Sequence, residues 1–344
     1  MVRICDFKVE RPPFCIAQVD VLKWLAAAHG LHGADEEAVY ATFVKLGLGE
    51  KKVQKRYTFY QDCEHRNWDE MEIHGKDMGA RMRYFDEKIS GYVKRLYIDS
   101  EIPEDVIQVS CTGYVAPSPV QRILAKKSPY TVVTNAYHMG CYAAVPALRM
   151  GSGFLACGKE RVDVIHTELC TLHMGTHEHE ISQLVAETLF GDGLIKYSLS
   201  PESGSGFEIV SLREELIPNT VDFMRWQMEN WGMRMFLALE IPLAIRRGIK
   251  GFVSRLYPGD IKKAVFALHP GGPRIIDQIA RALDLSEEQI MHSRKVFESC
   301  GNMSSATVPH IWAEMEKDLE PGTNVISLAF GPGLTIVGAH LRCC

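Results

Sequence analysis

The segment Val106-Ile107-Gln108-Val109-Ser110, followed at once by Cys111, is rich in β-branched residues and ends at a thiol. Two further runs of the same kind follow, from Tyr130 to Asn135 and from Val162 to Thr167. Stretches with helical apolar spacing, such as Val19 to Ala28, alternate with these runs. Such alternation is typical of a mixed sheet with packed helices. We therefore predict an α/β fold.

The second half of the chain repeats this style. A strand from Lys263 to Leu268 leads into His269, and a long helix is predicted from Asn230 to Arg247. Further helices are predicted for residues 273–283 and 286–299, and final strands for 324–328 and 334–340. The Ser- and Gly-rich stretch from Ser200 to Gly206 is typical of a connection. We divide the chain there, into an N-terminal half of residues 1–203 and a C-terminal half of residues 204–344.

Composition excludes several classes of protein. The 344 residues are 46% hydrophobic and 24% charged, which is an ordinary globular balance. A formal net charge of -5 argues against nucleic-acid binding as the main function. No apolar run is long enough for a membrane span, and the first residues do not form a signal peptide. The ten cysteines lack a disulfide-scaffold spacing, so we expect reduced thiols and a cytoplasmic protein.

Two polar side chains among small residues suggest an oxyanion site. His269 opens His269-Pro270-Gly271-Gly272-Pro273, and Asn302 lies in Gly301-Asn302-Met303-Ser304-Ser305. Histidine exchanges protons near neutral pH, whereas an Asn amide donates hydrogen bonds without ionising. Such a pair stabilises negative charge that develops on a carbonyl oxygen.

This site needs a nucleophile, and three cysteines have suitable local settings. Cys111, Cys141 and Cys170 each follow a β-rich run. Backbone N–H groups and a nearby histidine favour the thiolate at such a position, whereas an isolated cysteine is more often a buried core residue. The local sequence does not separate the three.

Five motifs in order resemble the type III polyketide synthases, the chalcone and stilbene synthase family. They are Cys111-Thr112-Gly113-Tyr114, Gly191-Asp192-Gly193, His269-Pro270-Gly271-Gly272-Pro273, Gly301-Asn302-Met303-Ser304-Ser305 and Phe330-Gly331-Pro332-Gly333. The resemblance extends from about Val53 to Leu341. The segment Glu168-Leu169-Cys170 is similar to the bacterial members.

The resemblance implies a thiolase-like fold of two related α/β halves in five layers, and a Cys-His-Asn triad. By motif position the triad is Cys111, His269 and Asn302. Cys111 is expected to take up an acyl group from a CoA or carrier-protein thioester. His269 and Asn302 then stabilise the enolate formed when a malonyl thioester loses CO₂, and this enolate extends the acyl group by Claisen condensation. Cyclisation to a pyrone or a resorcinol is one outcome.

The resemblance also implies a homodimer without a permanent cofactor, whose substrates are acyl-CoA and malonyl-CoA. Phe190 falls at a gating position of the family, and Met235 replaces its second gating phenylalanine. Ala116 replaces a methionine that reaches across the dimer. The other implied pocket residues are Cys170, His173, Trp226, Ser304, Gly331, Pro332 and Gly333.

A basic run precedes the first motif. Lys51, Lys52, Lys55 and Arg56 are candidates for binding CoA phosphates or an acidic acyl carrier protein. The alternative is a solvated charged surface.

Three other functions compete with this interpretation. His173, His177 and His179 suggest a zinc site, although no cysteine pair completes the set. A ketosynthase with the same triad could join two acyl chains instead of adding malonyl units. A non-catalytic acyl-binding homologue would have no need of the triad.

Overall fold

A computed structural model describes residues 1–59, 77–98, 100–202 and 204–344. The strands are β1 (Arg3–Glu10), β2 (Phe14–Ala17), β3 (Lys55–Thr58), β4 (Asp105–Ser110), β5 (Val132–Tyr137), β6 (Val162–Glu168), β7 (Gly193–Ser200), β8 (Phe207–Leu216), β9 (Met224–Met228), β10 (Met233–Leu237), β11 (Ala264–Leu268), β12 (Asn324–Gly331) and β13 (Thr335–Cys343). The helices are α1 (Gln18–Leu31), α2 (Glu36–Gly47), α3 (Met78–Leu96), α4 (Pro119–Lys127), α5 (Ala144–Ala156), α6 (Ile181–Leu189), α7 (Ile241–Leu256), α8 (Pro273–Leu283), α9 (Glu287–Cys300) and α10 (Thr307–Asp318).

Nine strands form one sheet in the order β11-β12-β13-β8-β1-β7-β6-β4-β5. In the N-terminal half, β4 is parallel to β6, and β6, β7 and β1 follow in antiparallel pairs. In the C-terminal half, β11 is parallel to β12, and β12, β13 and β8 follow in the same antiparallel sequence. β1 and β8 join the halves at the centre. Four strands of each half therefore follow one plan, as the resemblance implies, and β5 is an additional edge strand of the N-terminal half.

Three apolar clusters define the layers. One cluster places α5 and α10 between the inner faces of both halves of the sheet. A second packs α1 to α4 on the outer face of the N-terminal half, and a third packs α7 and α8 on the outer face of the C-terminal half. Along β12, Val325 and Ala329 face the central helices whereas Ile326 and Leu328 face α7 and α8, because side chains alternate along a strand. The expected five-layer α/β fold is confirmed.

Local sequence explains several of the helix boundaries. Ser118 and Ser286 begin α4 and α9, and each forms a capping box with the glutamine three residues later. Pro273 occupies the first turn of α8, where its missing N–H has no cost, and this helix has the predicted bounds.

One predicted element is wrong. The expected helix from Asn230 to Arg247 is divided: Met233–Leu237 is β10, paired with β9, and the helix begins only at Ile241. The apolar residues of this stretch also fit a strand, since Met233 and Met235 are buried alternately. Pro242 sits in the first turn of α7, where it suits a helix start.

No helix among the described residues is both long and apolar enough to cross a membrane. The division between residues 203 and 204 falls in the connection from β7 to β8, and residue 203 itself lies outside the described residues. That division stays a prediction.

Candidate active site

Chain segments from both halves meet at one end of the sheet. Cys111 follows β4, and His269 follows the corresponding strand β11 of the other half. Cys141 lies in the turn between β5 and α5, and Asn302 follows α9 after Gly301. The equivalent strands β4 and β11 thus end at Cys111 in one half and at His269 in the other.

A small cavity of about 20 Å³ lies at this end of the sheet. That volume holds little more than one water molecule. Six of the expected pocket and catalytic residues line it besides Cys111, namely Cys170, Phe190, Trp226, Met235, Ser304 and Pro332. Thr112, Gly140, Cys141 and Met224 complete the lining. The sequence signal for Cys141 was its position after a β-rich run, whereas nothing in the sequence marked Met224.

Cys111 lies against a buried carboxylate. Its Sγ is 3.3 Å from Glu168 Oε1, and its backbone N–H donates to both oxygens of Glu168 at 3.2 and 3.1 Å. Thr112 Oγ1 donates to the same carboxylate at 2.8 Å, and Ser305 Oγ also donates to it. The Cys111 backbone N–H, which would otherwise stabilise a thiolate, therefore already donates to Glu168.

Cys141 lies beside Asn302 instead. Its Sγ is 4.0 Å from Asn302 Oδ1 and 3.7 Å from Ser304 Oγ. The turn that holds it leads directly into α5, and N-terminal helix dipoles stabilise negative charge. No carboxylate among the described residues is hydrogen-bonded to this sulfur.

The acidities of the two thiols differ accordingly. Burial, the Glu168 carboxylate and Cys141 raise the pKa of Cys111 well above its ordinary value. Burial and, to a smaller extent, the Glu168 charge raise the pKa of Cys141 to about 12, and its hydrogen bonds with Ser304, Asn302 and the backbone oppose this shift. These surroundings oppose a thiolate less at Cys141 than at Cys111, and the sequence-based choice of Cys111 as the nucleophile stays a prediction.

The backbone around Asn302 is held by close contacts with residues 187–191, which include the expected gating residue Phe190 and are called the gate segment below. Asn302 N–H donates to Leu189 O at 2.7 Å, and Gly191 N–H donates to Asn302 O at 3.0 Å. Gly301 has φ 72°, and an added Cβ would lie 2.6 Å from Leu189 O. Ser304 N–H donates to Asn302 Oδ1 at 2.9 Å, which leaves Nδ2 as the group able to donate to a substrate oxygen.

His269 is buried, and neither ring nitrogen has a hydrogen-bond partner among the described residues. Its backbone N–H donates to Leu328 O at 2.8 Å, which fixes the end of β11. Burial lowers the pKa of His269 to about 3, so the ring is neutral. Burying an imidazole without hydrogen-bond partners costs free energy, unless a bound ligand supplies a partner.

Three expected pocket residues do not line the cavity. His173 Nε2 donates to Thr112 O at 2.7 Å, and its ring meets Trp226 edge-on. Trp226 Nε1 in turn donates to Cys111 O at 2.7 Å. Gly331 approaches Tyr142 so closely that a Cβ would lie 2.1 Å from its ring, and Gly333 has φ 82°. His173, Gly331 and Gly333 therefore lie behind the residues that line the cavity.

Arg56 does not offer its charge to solvent, which corrects its assignment as a phosphate ligand. It is 1% exposed, and its guanidinium donates to Gln18 Oε1, Glu187 O and Phe190 O. Arg56 thus braces the backbone of the gate segment.

The other three basic residues lie at the surface. Lys51 pairs with Glu287 at 2.8 Å, and Lys52 donates to Lys45 O at 3.0 Å. Lys55 lines an open cleft of about 580 Å³ beside α9, away from both cysteines.

Asp192, between two glycines, accepts hydrogen bonds from Thr171 and from the backbone N–H of Phe59 at 3.1 Å. Burial raises the pKa of its carboxyl to about 6. These contacts give Asp192 the structural role that its turn position indicates.

Within the described ranges, no three His, Cys, Asp or Glu side chains are placed to hold a metal ion. His177 instead meets Trp231 edge-on, and His179 Nδ1 lies 2.9 Å from His29 Nδ1.

Comparison of the sequence with known proteins finds similarity to chalcone and polyketide synthases. Residues 208–344 match the family described as "Chalcone and stilbene synthases, C-terminal domain". The chain is 30% identical over 255 residues to "Probable polyketide synthase 1" of Dictyostelium discoideum, covering 69% of this chain but only 8% of that protein. It is 29% identical over 260 residues to "Putative chalcone synthase" of Bacillus subtilis, covering 69% of this chain and 70% of that protein.

Solved structures share the whole fold at low identity. The C-terminal type III polyketide synthase domain of Steely1 from Dictyostelium superposes with a TM-score of 0.87 at 23% identity, covering 99% of both chains. 1,3,6,8-Tetrahydroxynaphthalene synthase from Streptomyces coelicolor gives a TM-score of 0.84 at 21% identity, again covering 99% of both chains.

Proposed function

We propose that this protein is an acyltransferase. Residues 208–344 match the chalcone and stilbene synthase C-terminal domain, and the chain is related to the type III polyketide synthases. The protein loads an acyl group from a CoA thioester onto a cysteine. It then extends this group by decarboxylative Claisen condensation with malonyl-CoA. No permanent cofactor takes part.

Cys141 carries the acyl group in this proposal. The supporting observation is the position of its Sγ, 4.0 Å from Asn302 Oδ1 in the turn that begins α5. Attack by the thiolate on the thioester carbonyl forms the acyl-enzyme, and CoA leaves as its thiolate when the bond between the carbonyl carbon and its sulfur breaks. A covalent thioester also retains the chain between extensions.

His269 and Asn302 stabilise the enolate oxygen that forms when malonyl-CoA loses CO₂. Both can donate a hydrogen bond: Asn302 through Nδ2, and His269 through one ring N–H that has no described protein partner. A neutral His269 and a non-ionising amide do not quench the carbanion equivalent by protonation.

The pocket must open to receive an acyl chain, because its present volume is far below that of any substrate. Met235 faces Trp226 across the β9–β10 pair, and both side chains line the cavity. Methionine adapts its shape readily, so we assign Met235 and Phe190 as the side chains that move.

Lys51, Lys52 and Lys55 provide surface charge for CoA phosphates or for an acidic acyl carrier protein. We also propose a homodimer formed at β5, an edge strand of the sheet. Val132 on this strand is 57% exposed and neighbouring Tyr130 is 90% exposed, which is unusual for an unpaired edge. Nine described free cysteines support a reducing, cytoplasmic location.

Mass spectrometry of the intact protein and its products tests this function. The protein is incubated with acyl-CoA thioesters of different length, with and without malonyl-CoA. We expect one stable acyl adduct without malonyl-CoA, and extended products only when malonyl-CoA is present. Loading without malonyl-dependent extension would favour an enzyme that joins two acyl chains, and no loading at all would favour an acyl-binding homologue.

A further inference from the structure

Two thiols of the site contact the same hydroxyl. Ser304 Oγ lies 2.7 Å from Cys111 Sγ and 3.7 Å from Cys141 Sγ, and both cysteines line the one cavity. An acyl thioester that enters the cavity therefore meets two possible nucleophiles. The proposed function, on which this inference rests, requires that only one of them loads.

The difference between the thiols begins at Glu168. Its carboxylate is fully buried and accepts from the Cys111 S–H, the Cys111 N–H and the Thr112 hydroxyl. A Cys111 thiolate would place a second negative charge 3.3 Å from this carboxylate, in surroundings from which water is excluded.

A second group of hydrogen bonds supports Glu168 from behind. Ser305 Oγ donates its one proton to Glu168 Oε1, so it must accept from His166 Nδ1, 3.0 Å away. His166 Nε2 is then the unprotonated nitrogen and accepts from the Tyr197 hydroxyl at 3.3 Å. The hydrogen bonds therefore form a chain in which Tyr197 donates to His166, His166 donates to Ser305, and Ser305 donates to the Glu168 carboxylate.

The protonation states agree with this direction. Burial and the neighbouring His310 lower the pKa of His166 to about 3, so the ring is neutral and carries a single N–H. Burial raises the pKa of Glu168 to about 7, against its hydrogen bonds, so the carboxyl is mostly ionised at pH 8. The titratable groups that face Glu168 and His166 are Cys111, Tyr114, Cys141, Cys170, Tyr197 and His310.

We propose that His166, with Tyr197 and Ser305, positions Glu168 so that Cys111 stays a protonated thiol and acyl loading is directed to Cys141. His166 acts only through Ser305 and touches neither sulfur in the described structure, so it is a positioning residue. Glu168 is the group that discriminates between the thiols.

The test is alkylation of the folded full-length protein with iodoacetamide at pH 8, followed by peptide mapping of Cys111 and Cys141. In the unmodified protein we expect the label mainly on Cys141. Glu168→Gln should raise the alkylation rate of Cys111 relative to Cys141 by at least about tenfold, which corresponds to one pKa unit. His166→Phe should change the ratio in the same direction by a smaller factor.

Two further variants separate positioning from folding. His166→Asn retains a donor at the place of Nδ1 and should restore most of the original ratio. His310→Phe removes an equally buried histidine that donates to Ala306 O and not to Ser305, and it should leave the ratio unchanged.

The inference is overturned if Glu168→Gln leaves the ratio unchanged in folded protein, or if both cysteines gain or lose reactivity together. It is also overturned if His310→Phe changes the ratio as much as His166→Phe does. Because iodoacetamide needs no acyl substrate, these results do not depend on whether the protein condenses malonyl units.

Discussion

The ends of β4 and β5 present two cysteines to one cavity, yet their surroundings differ in charge. The β4 end places Cys111 against the buried Glu168 carboxylate, which uses the Cys111 backbone N–H. The β5 end places Cys141 near the Asn302 amide and the start of α5. A cysteine at a strand end is therefore not sufficient to define a nucleophile, since the neighbouring charge decides whether a thiolate can form.

The largest expected effect separates the two cysteines directly. Cys141→Ala should lower the rate of acyl loading by at least about 10³-fold, because the covalent intermediate loses its sulfur. Cys111→Ala should stay within about tenfold of the unchanged protein. Intact-protein mass spectrometry over time measures both rates. Loading of Cys141→Ala at the original rate would assign the nucleophile to Cys111 after all.

The second effect tests whether Asn302 acts on the extender and not on the thiol. Asn302→Ala should slow CO₂ release from malonyl-CoA by about 10²–10³-fold, which is the usual cost of losing one oxyanion donor. Acyl loading should fall only a few-fold. A parallel loss of both steps would show that Asn302 mainly supports Cys141.

The third effect concerns the stability of the Cys111 side of the site. Burial raises the pKa of Glu168 from 4.5 to about 7, so the folded protein binds its proton more tightly than the unfolded chain does. This contribution to stability is complete below pH 4.5 and is lost as pH rises through 7, by roughly 3 kcal/mol.

Glu168→Gln should remove this part of the pH dependence, as measured by urea unfolding between pH 4.5 and 8. Asp192, whose pKa is also raised, keeps its own contribution in both proteins. An identical pH slope with and without Glu168 would contradict the expected protonation of this carboxyl.

The smallest effect concerns charge outside the cavity. Lys55→Ala should raise KM for acyl-CoA about threefold, as expected for one exposed phosphate contact worth under about 1 kcal/mol. The labelling ratio of Cys111 to Cys141 should not change, because Lys55 lies beside α9. Lys88→Ala is the matched control, because it removes a surface cation that pairs with Glu87 and is not among the proposed phosphate ligands, and it should leave KM unchanged. A changed ratio in Lys55→Ala would mean that surface charge reaches the thiols.

Sequence alone determined the α/β class, the alternation of strands and helices in both halves, and the position of His269 at the end of a strand. Alternating apolar residues specify a strand, and small residues on either side of a single polar residue leave its side chain accessible. Both features depend only on neighbouring residues in the sequence. The prediction of one helix from Asn230 to Arg247 was wrong because the spacing of Met233 and Met235 fits both a helix and a strand. Only the pairing of these residues with β9 selects the strand.

Tertiary structure alone decided how the cysteines and cations are used. Cys111 and Cys141 both come after β-rich runs, but Glu168, 57 residues beyond Cys111, forms direct hydrogen bonds only with Cys111. Arg56 belongs to a basic run, yet its guanidinium is enclosed by Gln18 and by backbone carbonyls of the gate segment. The acidity of a thiol and the accessibility of a charge depend on solvent exclusion and on partners distant in sequence, and only the folded chain brings these together.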